Sequence, residues 1–288
     1  MSSFTFAQLQ RALIRRVNVS RRTGRYYQVD GFDNLFPSVT TILGVVNKPG
    51  LAMWQKRLMV DQLRKDLSVE LPSTSTDEWV NTILSQASEK ADAQRDAAAD
   101  FGTRAHLAID KQCENLEQPV EVDADLHGVM AGFKQWYQGA GLQLVQTERM
   151  VFSPQYQYAG AVDAIAKRPG HDGLVVLDWK TSNSIFAEHG MQLSAYAKAI
   201  EEMFGEKVTE GWVVQFNKGN ETPGFSAYRI RIEESYTSFS AALHLFHAQN
   251  TNLFDYSASQ KCVAGEWKPV TTKEIPLEKQ TPSWQTIE

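Results

Sequence analysis

The densest apolar patterning in the chain lies between Val162 and Trp179. Residues 162–167 and 174–179 are short runs rich in β-formers. Pro169-Gly170-His171-Asp172-Gly173 between them is turn chemistry, so the pattern predicts a β-hairpin. Residues 142–152 alternate loosely as a strand carrying Glu148. Residues 212–216 and 225–232 read as two further strands around a turn over 218–224. A helical period marks 51–71 (Leu51, Trp54, Leu58, Met59, Leu63), 78–112, 125–139, 188–204 and 236–250. Residues 71–77 break the first two helices apart, with Thr76 or Asp77 as N-cap. Ahead of these, the pattern predicts an amphipathic segment over 6–17 and a hairpin-like pair, 26–29 and 36–43. The tail from Ser257 is polar, carries Pro269, Pro276 and Pro282, and is expected to be irregular, with Trp267 and Trp284 as anchors.

Each strand of the central hairpin interrupts its apolar run with a carboxylate, Asp163 and Asp178. A charge in an apolar strand is costly unless it is paired or binds a metal. Opposed residues in an antiparallel hairpin have a constant sum. A loop of residues 169–172 sets Asp163 opposite Asp178, whereas a loop one residue longer sets Asp163 opposite Trp179. Asp178 and Lys180 share a face in either case. Two carboxylates that close repel unless a cation lies between them, and a divalent metal is the economical solution.

On the helix over 78–112, Gly102 and His106 are expected to share an inward apolar face with Ala98, Ala105, Ile109 and Cys113. Gly102 in mid-helix costs about 1 kcal/mol against Ala and suggests close backbone approach of another element. Gln192 and Tyr196 stand four apart and project from one face of a later helix.

Composition changes this picture little. Hydrophobic content of 42% and charged content of 22% over 288 residues suit an ordinary globular chain. No apolar run reaches membrane-spanning length, so no membrane role is expected. Two cysteines, Cys113 and Cys262, make neither a four-Cys metal site nor a disulfide framework, and a reducing, cytoplasmic setting fits. The Arg-rich start also fits an organelle transit peptide, but it runs into a plausible strand at 25–29. Arg11, Arg15, Arg16, Arg21, Arg22 and Arg25 read either as a phosphate-contacting arm or as a solvated face. The net charge of −5 is a weak argument against nucleic acid, because local clusters outweigh a global sum.

Four motifs stand in order: Gly102-Thr103-Arg104-Ala105-His106, Gly160-Ala161-Val162-Asp163, Asp178-Trp179-Lys180-Thr181-Ser182, and Gln192-x-x-x-Tyr196. In that order and spacing the chain resembles the PD-(D/E)XK nuclease superfamily in its RecB-like branch. Phe36-Pro37-Ser38-Val39-Thr40-Thr41-Ile42-Leu43 followed by Trp54 is similar to the mitochondrial genome maintenance exonucleases and their phage and bacterial relatives. Asp178 stands where many members carry Glu. The resemblance implies an α/β fold: a restriction-endonuclease-like αβββαβ core with a central mixed sheet flanked by helices, plus a helical N-terminal region. It divides the chain into a DNA-guiding region (1–77), a nuclease core (78–256) and a tail (257–288).

The resemblance implies one or two Mg²⁺ or Mn²⁺ ions and no iron–sulfur cluster. His106, Asp163, Asp178 and the Trp179 carbonyl become ligands, and Glu148 an outer acid or second-metal ligand. Lys180 would position or deprotonate the water, or stabilise charge at phosphorus. Gln192 and Tyr196 would hold Lys180 and the phosphate, with Gly102, Arg104, Thr181 and Ser182 as supporting candidates. Single-stranded DNA with a free end is the expected substrate of a hydrolytic exonuclease, with a replication, repair or recombination protein as an accompanying partner. Tyr26, Tyr27 and Trp54 are either base-stacking residues or core. The rival readings are an endonuclease or non-catalytic nucleic-acid binder on the same fold, and a two-carboxylate glycosidase, which leaves Lys180 without a role.

Overall fold

The computed structural model describes residues 5–17, 24–69, 77–219, 222–251, 260–263 and 266–269. The elements run α1 (Phe6–Arg11), β1 (Ile14–Val17), β2 (Tyr26–Val29), β3 (Phe36–Pro37), α2 (Val39–Ile42), α3 (Pro49–Val69), α4 (Asp77–Glu114) and α5 (His127–Ala140). They continue as β4 (Gln143–Ser153), β5 (Tyr158–Lys167), β6 (Leu174–Lys180), α6 (Ala187–Phe204), β7 (Val208–Phe216), β8 (Phe225–Arg229), α7 (Ile232–Gln249), β9 (Gln260–Val263) and β10 (Glu266–Pro269).

A five-stranded mixed sheet in the order β4-β5-β6-β7-β8 is the centre. Its strands pair antiparallel except β6 and β7, which are parallel. Parallel neighbours need a crossover, and α6 provides it. One core packs the sheet against α6, α7 and the β1–β3 region; Ile165, Val176, Leu193, Ile200, Val213 and Phe239 belong to it. The other packs it against α5 and the C-terminal half of α4, through Ala105, Ile109, Phe133, Trp136, Leu177, Trp179 and Phe216. This is the α/β core with flanking helices and helical N-terminal region that the sequence predicts.

The hairpin register follows the shorter loop. Ala164 faces Leu177, Ile165 faces Val176 and Ala166 faces Val175, so the same sum sets Asp163 against Asp178.

Four expectations are corrected. Residues 6–17 are not one amphipathic segment: α1 stops at Arg11, and Ile14–Val17 pairs with β2 as a strand. Residues 39–43 are helical despite their β-branched side chains. Ser38 caps that turn by accepting from the Thr41 N–H at 3.0 Å, and capping outweighs a weak strand propensity. Ala98 is exposed rather than inward, because α4 meets the sheet only from about Ala105 onward. The tail is not wholly irregular, since β9 and β10 pair antiparallel. Thr76, Arg21, Arg22 and Trp284 lie outside the described residues.

Tyr26 and Tyr27 are 6% and 5% exposed and so belong to the core, not to a stacking surface. Arg15 forms an exposed ion pair with Asp30, while Arg11, Arg16 and Arg25 lie exposed in the same region.

Candidate active site

β5 and β6 stop pairing just where the acids begin. The backbone ladder ends at Ala164–Leu177. Beyond it, the Trp179 N–H donates to the Asp163 side chain (Oδ2, 2.6 Å). The Trp179 indole is the weight that fixes this backbone. It is buried among Phe133, Trp136 and Phe216, with ring centroids 4.9–6.0 Å away. The carbonyl of a strand residue projects to the same edge as its N–H, so the Trp179 carbonyl also faces the Asp163 side.

Asp163 receives a second partner from α4. His106 Nδ1 lies 3.4 Å from Asp163 Oδ1. Burial works against a charged His106, but the hydrogen bond and charge of Asp163 outweigh it and raise the imidazole above its ordinary value. Burial likewise works against an ionised Asp163. The His106 hydrogen bond, the charges of His106 and Lys180 and the Trp179 N–H prevail and lower it.

Glu148 completes the group. Thr147 faces Ala164 and Arg149 faces Val162, which sets Glu148 level with Asp163 on the neighbouring strand. Glu148 has φ of 46°, a conformation unusual for a non-glycine residue and of the sort found at functional sites. One ligand atom each of His106, Glu148 and Asp163 falls within 4.8 Å of the others.

Asp178 turns to Lys180 instead. The ammonium lies 2.8 Å from Oδ1 and 2.6 Å from Oδ2. The second contact is ionic in geometry, so Oδ2, though buried, accepts no hydrogen bond from any described group. Burial raises Asp178 to about 6, with the Asp163 charge adding to it and the Lys180 charge only partly offsetting it. Lys180 is raised as well: burial opposes its charge, and Asp178 and Asp163 restore it.

α6 closes the site. Gly160 on β5 lets the Tyr196 ring lie against the strand, since a Cβ there would meet Tyr196 Cε1 at 2.5 Å. Gln192 Nε2 donates to the Tyr196 hydroxyl at 3.3 Å. Burial raises the Tyr196 phenol well beyond its ordinary value, so it stays protonated. His189, in the first turn of α6, accepts the Phe186 N–H on Nδ1 at 3.3 Å. Burial, then the charges of Lys180 and Lys48, lower its imidazole to about 4.

Some sequence candidates have other roles. Arg104 is held away by Asp100, Asp123 and Asp125 at 2.7–3.0 Å, clamping α4 to the loop before α5. The Ser182 hydroxyl donates to the Ser184 carbonyl, which shapes the turn after β6. Thr181 is buried beside Gly102, but a Cβ at Gly102 would stand 3.6 Å from Thr181 Oγ1. That is ordinary contact, so the close approach expected at Gly102 is not tight enough to require glycine. Sequence reasoning missed His189, Lys48 and Lys218, whose ammonium stands 5.3 Å from the Phe101 ring centroid, one residue from Gly102. No spacing rule marks these residues, because only the fold sets Lys48 near His189 and Lys218 over Phe101.

An acid–acid–lysine row along one face of an αβββαβ sheet, with an imidazole from the preceding helix, defines a nuclease-type site. Residues 59–269 match the profile of the PD-(D/E)XK nuclease superfamily, and the chain belongs to that superfamily. Among solved structures it is similar to the crystal structure of SSO0001, with 17% identity over 66% of this chain and 85% of that one and a TM-score of 0.28. It is also similar to an alkaline exonuclease from Laribacter hongkongensis, with 14% identity over 51% of this chain and 80% of that one and a TM-score of 0.30. No curated protein matches.

Proposed function

We propose that the chain is a divalent-metal-dependent exonuclease that hydrolyses phosphodiester bonds of single-stranded DNA with a free end. The observation that carries this is the convergence of His106, Glu148 and Asp163 within 4.8 Å beside the Asp178–Lys180 pair. The donor set fits a divalent cation: one imidazole nitrogen and carboxylate oxygens on two strands, with the Asp178 carboxylate, held by Lys180, beside them. Oxygen donors suit Mg²⁺, and the imidazole makes Mn²⁺ at least as good a fit. His106, Glu148 and Asp163 would hold the ion, with Asp178 and the Trp179 carbonyl adjoining. When bound, such an ion polarises phosphoryl oxygen and lowers the pKa of water.

The chain's own groups do the rest. Asp178 fixes Lys180, whose N–H groups are offered to the attacking water and to a phosphoryl oxygen. Tyr196, kept protonated by burial, donates to the phosphate, and Gln192 orients its hydroxyl. Lys218, set over Phe101, contacts a neighbouring phosphate. α3 and the exposed N-terminal half of α4 pack on each other ahead of the core, with Trp54 37% exposed. A helical pair placed before the site suits a threaded single strand, as does the likeness of 36–43 to mitochondrial genome maintenance exonucleases.

The test gives wild type and Lys180→Ala linear single-stranded, linear double-stranded and circular single-stranded DNA with Mn²⁺ or Mg²⁺. The expected result is loss of linear single strands only, abolished in the variant. Cleavage of circles would make the protein an endonuclease. Salt-dependent binding without any cleavage would make it a binding module.

A further inference from the structure

The row of site residues does not end at Asp178. The register carries it onward across the sheet: Asp178 faces Val213, and Val213 faces Tyr228 on the last strand. Neighbouring strands lie about 4.8 Å apart, so Tyr228 stands about 10 Å from Asp178. Tyr228 is 45% exposed, and Phe186, just before α6, is 50% exposed. Both line a cavity of about 350 Å³ with Met191, Ile230, Arg231 and Glu234. That volume is at the small end for ligand sites, about 300–1,000 Å³.

Both residues are tied to the catalytic segment. The Phe186 N–H is bonded to His189 in the first turn of α6. The Tyr228 hydroxyl donates to Gln215 Oε1 at 3.4 Å, and the Gln215 amide donates to the Ser182 carbonyl, two residues beyond Lys180. Half-exposed aromatics lining one cavity, in line with the acids of the site, are placed for a flat aromatic group attached to the reacting phosphate chain.

We infer that this cavity takes an unpaired nucleobase of the substrate strand, one or two nucleotides from the scissile phosphate, stacked on Tyr228 and Phe186. The inference rests on the nuclease reading of the adjoining site. Every base has a π-face, so such a subsite holds a strand without reading its sequence. A base engaged in a duplex is already stacked and paired there, so it is not free to lie on these rings. The cavity thus supplies a physical reason for a single-strand preference.

The experiment titrates the full-length protein, without divalent metal, into single-stranded oligonucleotides carrying 2-aminopurine at successive positions from one end. Fluorescence quenching is expected at one or two adjacent positions only. Tyr228→Ala and Phe186→Ala are expected to lose that quenching and to bind roughly tenfold more weakly, whereas Tyr228→Phe retains both. Melting temperatures near wild type check that the half-exposed side chains were removed without unfolding. Quenching at no position, or quenching unchanged in both alanine variants, overturns the inference. Mn²⁺ is then added to the same complexes. Cleavage without position-specific quenching overturns the cavity and leaves the nuclease standing; position-specific quenching without cleavage does the reverse.

Discussion

Asp163 and Asp178 are neighbours on one sheet face, yet each answers to a different cation. Asp163 takes His106 and the Trp179 N–H, and Asp178 takes Lys180. The division gives each of the two carboxylates its own positive partner, which offsets their mutual repulsion. With His106 as a proposed ligand, it also ties metal affinity to protons. The His106 imidazole, with its pKa held above the ordinary 6.5, must lose its proton to ligate a metal. Mn²⁺ affinity measured by calorimetry is therefore expected to fall as pH drops from about 8 to about 6, and to flatten in His106→Asn. An unchanged slope in that variant would remove His106 from the ligand set. Gly160 gives a second residue-level prediction. A methyl there collides with the Tyr196 ring, so Gly160→Ala is expected to cost about 1–3 kcal/mol in chemical denaturation and to slow cleavage by displacing the phenol. Asp163, Asp178 and Lys180 were legible because a two-residue period and a tight turn leave only two registers open. Glu148 was less so, since its place depends on a positive φ and on a register shift between Leu144 and Gln146.

At the scale of elements, one helix serves two regions. The first part of α4 packs on α3, and its last part enters the core with Ala105, Ala108 and Ile109. His106 therefore stands on the stretch of α4 that reaches the sheet. The apolar stripe predicted the inward face of that helix correctly near the site and failed at Ala98, because periodicity does not say where a helix leaves the core. The misread segment at 39–43 has a similar cause. Its β-branched residues favour a strand, but Ser38 and Thr41 form a local hydrogen-bonded cap, with Thr41 Oγ1 also accepting from the Arg25 N–H at 2.8 Å. Ser38→Ala is expected to lower stability by about 1 kcal/mol in a denaturant titration. No change would mean that strand–helix packing alone holds the turn.

Over the whole molecule, the charge of −5 and the proposed DNA substrate are reconciled by placement. Arg104, Arg168 and Arg95 are spent on acidic neighbours, whereas Lys48 lies near His189 and Lys218 over Phe101, beside the site. No described helix is long and apolar enough to cross a membrane. Binding of single-stranded DNA is expected to weaken as salt rises, and Lys218→Ala to reduce the salt slope by about one phosphate's worth, roughly 0.7. A slope equal to wild type would leave Lys218 a structural partner of Phe101. The most direct measurement of the central claim is single-turnover cleavage of an end-labelled linear single strand by excess protein with Mn²⁺, comparing wild type, Asp163→Asn and Lys180→Met. The account predicts rapid cleavage by wild type and a fall of roughly 10²–10³-fold or more in each variant with binding retained. Wild-type rates in the variants would contradict it.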